Sequence, residues 1–245
     1  MKVIDCFWDY SNLGKSTAEV LVDNDDSFDV SQLREISNRY EYTVVKVPVN
    51  RYNINNVLAD CGFSLVEVQY TIEKELSALN MGGGKMAAIT PYLDFLPVKD
   101  YERLKVVIDC ITPDMFITDR IAIDPFFGRE AGRRRYTNWI KSEYDKGTSC
   151  ITQVLYKGVH VGFIMYRISG HVIENILNGI YPPFFGKGIG IITAASPLLF
   201  AKQIGNIERE ITSISSNNIP VVKLYNYLNF KLLESKYVFV KHQSV

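Results

Sequence analysis

The chain has 245 residues, 47% hydrophobic and 22% charged, an ordinary globular balance with enough length for one large domain or two small ones. Its 27 basic and 27 acidic residues cancel, which argues against a surface built to track nucleic acid. No apolar run reaches the roughly 18 residues that cross a bilayer, and no signal-type block follows the start, so no membrane partner is expected.

Cys6, Cys61, Cys110 and Cys150 lie far apart, and His160, His171 and His242 fit no metal-binding pattern. Free thiols in a cytoplasmic protein without a structural metal are the simplest reading. A homodimer is left open.

The first part of the chain reads as follows. Residues 1–8 are apolar and strand-like, and residues 8–14 form an aromatic turn. Leu33, Ile36 and Tyr40 fall at helical spacing within 30–40. Residues 42–49 are a β-branched run that predicts a strand, with Pro48 marking its end or an edge. Ile54, Val57 and Leu58 suggest a short helix closed by Gly62, and 63–72 alternates like a half-buried strand. The glycine run at 82–84 reads as a connector, so a boundary is placed before Asp100, giving domains of 1–99 and 100–245.

In the second domain, residues 104–111 read as a strand. Thr112 and Pro113 cap an expected helix over 115–121, and 129–144 form a longer helix. Residues 151–156 and 159–168 make a hairpin about Lys157-Gly158. Residues 171–181 form the next strand, in which Gly179 suggests a bulge. A helix is expected over 189–203 despite Pro197, which removes a hydrogen bond and costs about 3 kcal/mol if unrelieved. A strand over 208–213, a helix over 218–228 and two closing strands, 230–234 and 237–241, complete the chain.

The run Gly186-Lys187-Gly188-Ile189-Gly190 stands between a strand and a helix start. Unpaired amides and the helix dipole hold an anion at such a place, and glycines let the backbone approach it. Lys187 is not followed by Ser or Thr, so a Walker loop is a poor match, and the third glycine of a dinucleotide fingerprint is missing. Downstream stand Asn218, Val221, Leu224, Tyr225 and Phe230. Together the two stretches resemble the GCN5-related N-acyltransferase superfamily (GNAT), over roughly residues 104–241. Phe185 stands where that loop usually has Arg or Gln, and Asn229 where Gly is usual.

The resemblance implies a mixed α/β fold, a mostly antiparallel sheet flanked by helices, with a smaller, truncated GNAT-like domain before it. The strand, helix, Gly62-Phe63 and strand of the first part echo the end of such a domain. With Trp8-Asp9, the arrangement resembles the dTDP-amino-sugar acyltransferases of the dTDP-fucosamine acetyltransferase type. The resemblance implies acyl-CoA as co-substrate, held by Gly179, Ile180, Gly186, Lys187, Gly188, Ile189, Gly190, Asn218 and Tyr225. Tyr225 takes the proton-donor position, and a phenol can serve as a general acid. Glu174 is a candidate base, with His171 and His160 as alternatives.

A dTDP-linked amino sugar on its way to surface polysaccharide would need an aromatic face and cations, which Tyr136, Trp139 and Arg135, with Arg133 and Arg134, offer. Acetyl and 3-hydroxybutanoyl donors both remain open. So do other acceptors (a protein N-terminus, an amino acid, a polyamine) and a non-catalytic CoA-binding protein. An acidic acceptor slot would favour a cationic substrate.

Overall fold

A computed structural model describes residues 1–25, 27–79 and 84–243. The first half contains β1 (Lys2–Asp5), α1 (Trp8–Leu13), β2 (Thr17–Leu21), α2 (Val30–Arg39), β3 (Tyr42–Pro48), α3 (Asn53–Asp60), β4 (Ser64–Glu75), α4 (Gly84–Ile89) and β5 (Leu93–Pro97). The second contains α5 (Tyr101–Asp109), α6 (Arg120–Ile123), α7 (Gly128–Lys146), β6 (Cys150–Tyr156), β7 (Val159–Ser169) and β8 (Val172–Ile180). It continues with α8 (Ile192–Ile204), β9 (Arg209–Ser215), α9 (Ile219–Tyr227) and β10 (Lys231–His242).

One sheet joins the strands in the order β1-β2-β3-β10-β4-β9-β8-β7-β6-β5. Neighbours pair antiparallel except for β2 with β3 and β8 with β9, which run parallel. The fold is thus mixed α/β with a mostly antiparallel sheet flanked by helices.

The succession strand, helix, parallel strand, helix, long strand occurs twice, as β2-α2-β3-α3-β4 and as β8-α8-β9-α9-β10. Each long strand crosses to the other set: β10 lies against β3 and β4 against β9, and the two pair with each other. The left-handed residues before them match, Gly62 at φ 80° and Asn229 at φ 55°.

Several elements depart from the sequence reading. Residues 104–111 are not a strand; they fall in and after α5. Its buried positions, Leu104 and Val107, are three apart, and Asp100 caps it by accepting from the Arg103 amide at 2.8 Å. The helix expected over 115–121 is a series of turns, and only α6 is helical, capped by Asp119. β1 ends at Asp5, and the aromatic turn after it is α1. The two closing strands are one strand, β10, with irregularities at Leu232/Glu234 and Val238/Phe239. Of the expected glycine connector, residues 80–83 lie outside the described residues, and Gly84 opens α4.

Pro197 does sit inside α8, and nine of that helix's 13 residues are buried. Burial of an aliphatic side chain contributes about 1.5–3 kcal/mol, so packing against the sheet outweighs the one lost hydrogen bond.

Helix α7 is fastened to the sheet by Glu143, which accepts from Ser149, from Thr148 at 2.8 Å and from Arg167 at 2.9 Å. Burial raises the Glu143 carboxyl, but the Ser149, Arg167 and Thr148 bonds outweigh it and hold the group at about 2. A depressed carboxyl contributes stability that is present above its unfolded pKa of about 4.3 and is lost as pH falls through about 2. Glu143→Gln is expected to cost about 1 kcal/mol at neutral pH, since Arg167 is partly solvated, and nothing below the folded pKa. Urea denaturation of both proteins across the acid range checks this. An equal gap at every pH would remove the charge from the account.

Candidate active site

β8 and β9 pair only where Val172 to Asn175 face Arg209 to Thr212. Beyond that point β8 is turned away by an extra residue. Its register with β7 steps from Asn175–Tyr166 to Leu177–Met165, leaving Ile176 unmatched. The bulge therefore sits at Ile176 and not at Gly179, which keeps its partner Phe163. A Cβ at 179 would lie 2.8 Å from Met115 Cε, the end of a flexible side chain that would have to shift.

The strands open onto a cavity of about 550 Å³, within the usual range for a small-molecule site. Residues 176–180 of β8 and 212–215 of β9 form its two walls, the turn at 114–119 closes one side, and α9 supplies Leu224 and Tyr225, with Asn218 just before it. The glycine loop contributes Gly186 and Gly190, while Lys187, Gly188 and Ile189 lie in the same loop outside the lining.

Gly186 and Gly188 have φ of 71° and 75°, and a Cβ at 186, 188 or 190 would meet open space. The loop leads into α8, whose first amides bond back to Ile189, Gly190 and Ile191. Among the described residues the amides of Gly188, Ile189, Gly190 and Ile191 have no backbone acceptor. Four free amides at a helix start fit a phosphate group. Lys187 holds its ammonium over the Phe184 ring at 5.4 Å, beside the loop.

Asn218 caps α9, its Oδ1 accepting from the Val221 amide at 3.3 Å, and it also borders the cavity. Its neighbour Asn217 is tied to the Val66 carbonyl at 3.0 Å. Tyr225 is 3% exposed and its hydroxyl accepts from Asn175 at 3.4 Å and Asn178 at 3.5 Å. Burial first, then the nearby Glu210 carboxyl, push the phenol above its ordinary value, against the pull of Asn178, Thr212 and Asn175. With its oxygen held by two amides, the phenol keeps its own proton free to donate.

The remaining expected residues fall elsewhere. Glu174 and His171 are exposed and His160 is half-buried; all three lie outside the cavity lining, and His171 faces the Asn206 carbonyl at 2.9 Å. Tyr136 borders the cavity, donating its hydroxyl to Asp119 at 2.9 Å. Trp139 and Arg135 do not border it. Arg135 meets the buried Asp9 at 2.9 Å, Arg134 donates to the Asn12 carbonyl at 2.9 Å, and Arg133 to Glu130 at 2.9 Å. The charged residues on the lining are Asp114 and Asp119, both carboxylates. Among the described residues no group of three or more His, Cys, Asp and Glu side chains could hold a metal ion.

Sequence reasoning missed Asn175, Asn178 and Glu210. The available signal was in β8 alone, where Asn175 and Asn178 interrupt a mostly apolar strand; β9 is mostly polar and hides Glu210.

No protein-family model and no curated protein sequence matches the chain. Solved structures do. A GCN5-related N-acetyltransferase from Sphaerobacter thermophilus is similar at TM-score 0.57 and 10% identity, over 83% of this chain and 61% of its own. One from Kribbella flavida is similar at TM-score 0.56 and 13% identity, over 94% and 82%. The chain has the GNAT fold. A tandem GNAT protein from the clavulanic acid biosynthesis pathway is similar at TM-score 0.56 and 11% identity, over 94% of this chain and 76% of its own. The splayed β8–β9 pair of this GNAT fold and the glycine loop at its mouth lie in the second half of the chain. The chain spans under two thirds of the Sphaerobacter protein.

Proposed function

We propose that this chain is an acyl-CoA-dependent N-acyltransferase. The observation that carries the reading is Tyr225 on the lining of a slot between two splayed strands, which a loop with four free amides also borders. The free amides of 188–191 and Lys187 would hold the phosphates of CoA, Asn218 and residues 176–180 its arm. Segment 100–245 is the acyl-CoA unit, and 1–99 a shortened copy of it, a division supported by the twice-repeated strand and helix order.

Transfer requires the amine lone pair to attack the thioester carbonyl carbon. The C–S bond then breaks, the sulfur takes a proton, and the nitrogen gives one up. Slot-facing backbone amides of residues 176–180 can stabilise the developing oxyanion, and Tyr225 can supply the sulfur's proton.

The acceptor we propose is a small cationic amine, such as a polyamine or an amino acid. A dTDP-linked amino sugar would bring its diphosphate to a lining whose charged residues are Asp114, paired with Arg129 at 3.1 Å, and Asp119, bonded to Tyr136 at 2.9 Å, while Arg133, Arg134 and Arg135 are engaged with other groups. A thiol-release assay with acetyl-CoA and 3-hydroxybutanoyl-CoA should show turnover with polyamines or amino acids. Turnover confined to dTDP-amino sugars would reverse the acceptor assignment. CoA binding without turnover on any amine would leave a non-catalytic CoA-binding protein.

Gly188→Val is expected to weaken CoA binding about tenfold or more, by straining a left-handed backbone and filling the space meant for phosphate. Calorimetric titration of a variant with unchanged circular dichroism tests this, and unaltered affinity would move the phosphate site off this loop.

A further inference from the structure

Asn175 and Glu210 meet beneath the slot, on the face of the sheet covered by α8 and α9. Glu210 is 0% and Asn175 2% exposed. Asn175 Nδ2 donates to Glu210 Oε1 at 3.1 Å and also to the Tyr225 hydroxyl. Two buried acceptors are left over, Asn175 Oδ1 and Glu210 Oε2, neither with a hydrogen-bond partner. A carboxylate only accepts and would leave both unpaired. A carboxylic acid can satisfy both: an O–H on Oε2 would donate to Oδ1 while the amide donates to Oε1. Acid and amide would then close a two-bond ring.

No cation competes with that arrangement. Lys74 is Glu210's Cα partner across the β4–β9 pair, yet among the described residues the two form no ion pair. The titratable groups around Glu210 are thus Tyr225 on α9 and Lys74 on β4. β8 offers Asn175 on this face, and α8 offers apolar side chains such as Ala194 and Leu198. An unpaired charge in such a place is strongly disfavoured.

We propose that Glu210 is held as the neutral acid in a ring with Asn175, and that this pair positions the Tyr225 hydroxyl for proton transfer. Glu210 is a positioning residue, acting through Asn175, and its catalytic half rests on the acyltransferase reading. Burial raises the Glu210 carboxyl to about 8, only partly offset by the Asn175 bond. Ionisation would break the Oε2 bond, free Asn175, and place a negative charge beside the phenol, making Tyr225 a poorer acid.

Glu210→Gln separates the alternatives. Its amide can form both bonds of the ring but cannot ionise. A raised carboxyl contributes stability that is fully present below its unfolded pKa of about 4.3 and is lost as pH rises through about 8. The folding constant of the native chain, divided by that of Glu210→Gln, should therefore fall on the order of a thousandfold over that range. A flat ratio overturns the neutral acid. So does the absence, at neutral pH, of a protonated-carboxyl infrared band that Glu210→Gln removes.

For the positioning half, the ring-carbon resonance of 13C-labelled Tyr225 should shift with a midpoint near 8 in the native chain and stay still in Glu210→Gln. An unmoved resonance overturns it. In turnover, kcat of the native chain should fall relative to Glu210→Gln as pH passes about 8, with the two within about threefold at neutral pH. If no amine is acylated at all, the function reading fails, and the denaturation, infrared and resonance measurements still decide the role of Glu210.

Discussion

Tyr225→Phe should lower kcat by about a hundredfold or more while leaving the affinity for CoA within about twofold. The substitution removes one oxygen and keeps the ring, which packs edge-on against Phe230 at 4.6 Å. Asn175 and Asn178 lose an acceptor they approach only at 3.4 and 3.5 Å, so the cost in stability is small, about 1 kcal/mol. What is lost is a proton donor at the departing sulfur. A thiolate leaves poorly without a proton, because its ordinary pKa of about 8.5 lies above neutral pH. Burial keeps the phenol protonated throughout the working range, so it is always loaded to donate. Steady-state kinetics with saturating amine, together with calorimetric CoA titration, make the test. Unchanged kcat would reduce Tyr225 to a core residue, and loss of CoA affinity at constant kcat would make it a binding residue.

Gly162→Ala carries the second large effect, and it falls on folding as well as function. Gly162 lies in β7 opposite Ile180, and a Cβ there would run into the carbonyl oxygen of Gly179. The obstacle is backbone on a paired strand, not the end of a flexible side chain, so β7 and β8 must part to admit one methyl. Overpacking of this kind costs about 3 kcal/mol. Because β8 is also a wall of the slot, CoA affinity should fall with the denaturation midpoint. Gly170→Ala is the control: its φ of 58° strains an alanine, but nothing lies within 4 Å of the added methyl. That variant should lose about 1 kcal/mol and keep CoA binding. Equal stability of Gly162→Ala and the native chain would mean that the strands are looser than their pairing implies.

Local chemistry made much of the second half legible. Lys157 and Gly158, both at positive φ, mark the β6–β7 hairpin, Asn218 caps α9, and Asn229 takes the left-handed turn that usually needs glycine. Each is a short-range signal. Reading α5 as a strand failed because Val106, Val107, Ile108 and Ile111 form a β-branched run, while the buried subset at 104, 107 and 111 is helical.

The arginines of α7 were misplaced for a different reason. Helical spacing says which side chains share a face, but not what meets that face. Asp9 and Asn12 lie 126 and 122 residues away along the chain. The Glu210–Asn175 and Asn175–Tyr225 contacts span 35 and 50 residues, and strand periodicity alone reads a buried Glu as an anomaly.

The exchanged long strands bear on how the slot is assembled. β9, one of its walls, gains its outer neighbour from β4, and β4 is in turn held by β10, so that wall depends on pairings between distant parts of the chain. Such non-local contacts are slow to form because loop closure comes before any reward. The slot is therefore a late product of folding. Until β10 arrives, β3 and β4 each carry a bare edge that a second molecule's β10 fits as well as their own. Concentrated refolding should then yield intertwined dimers, joined by traded β10 strands, alongside the monomer.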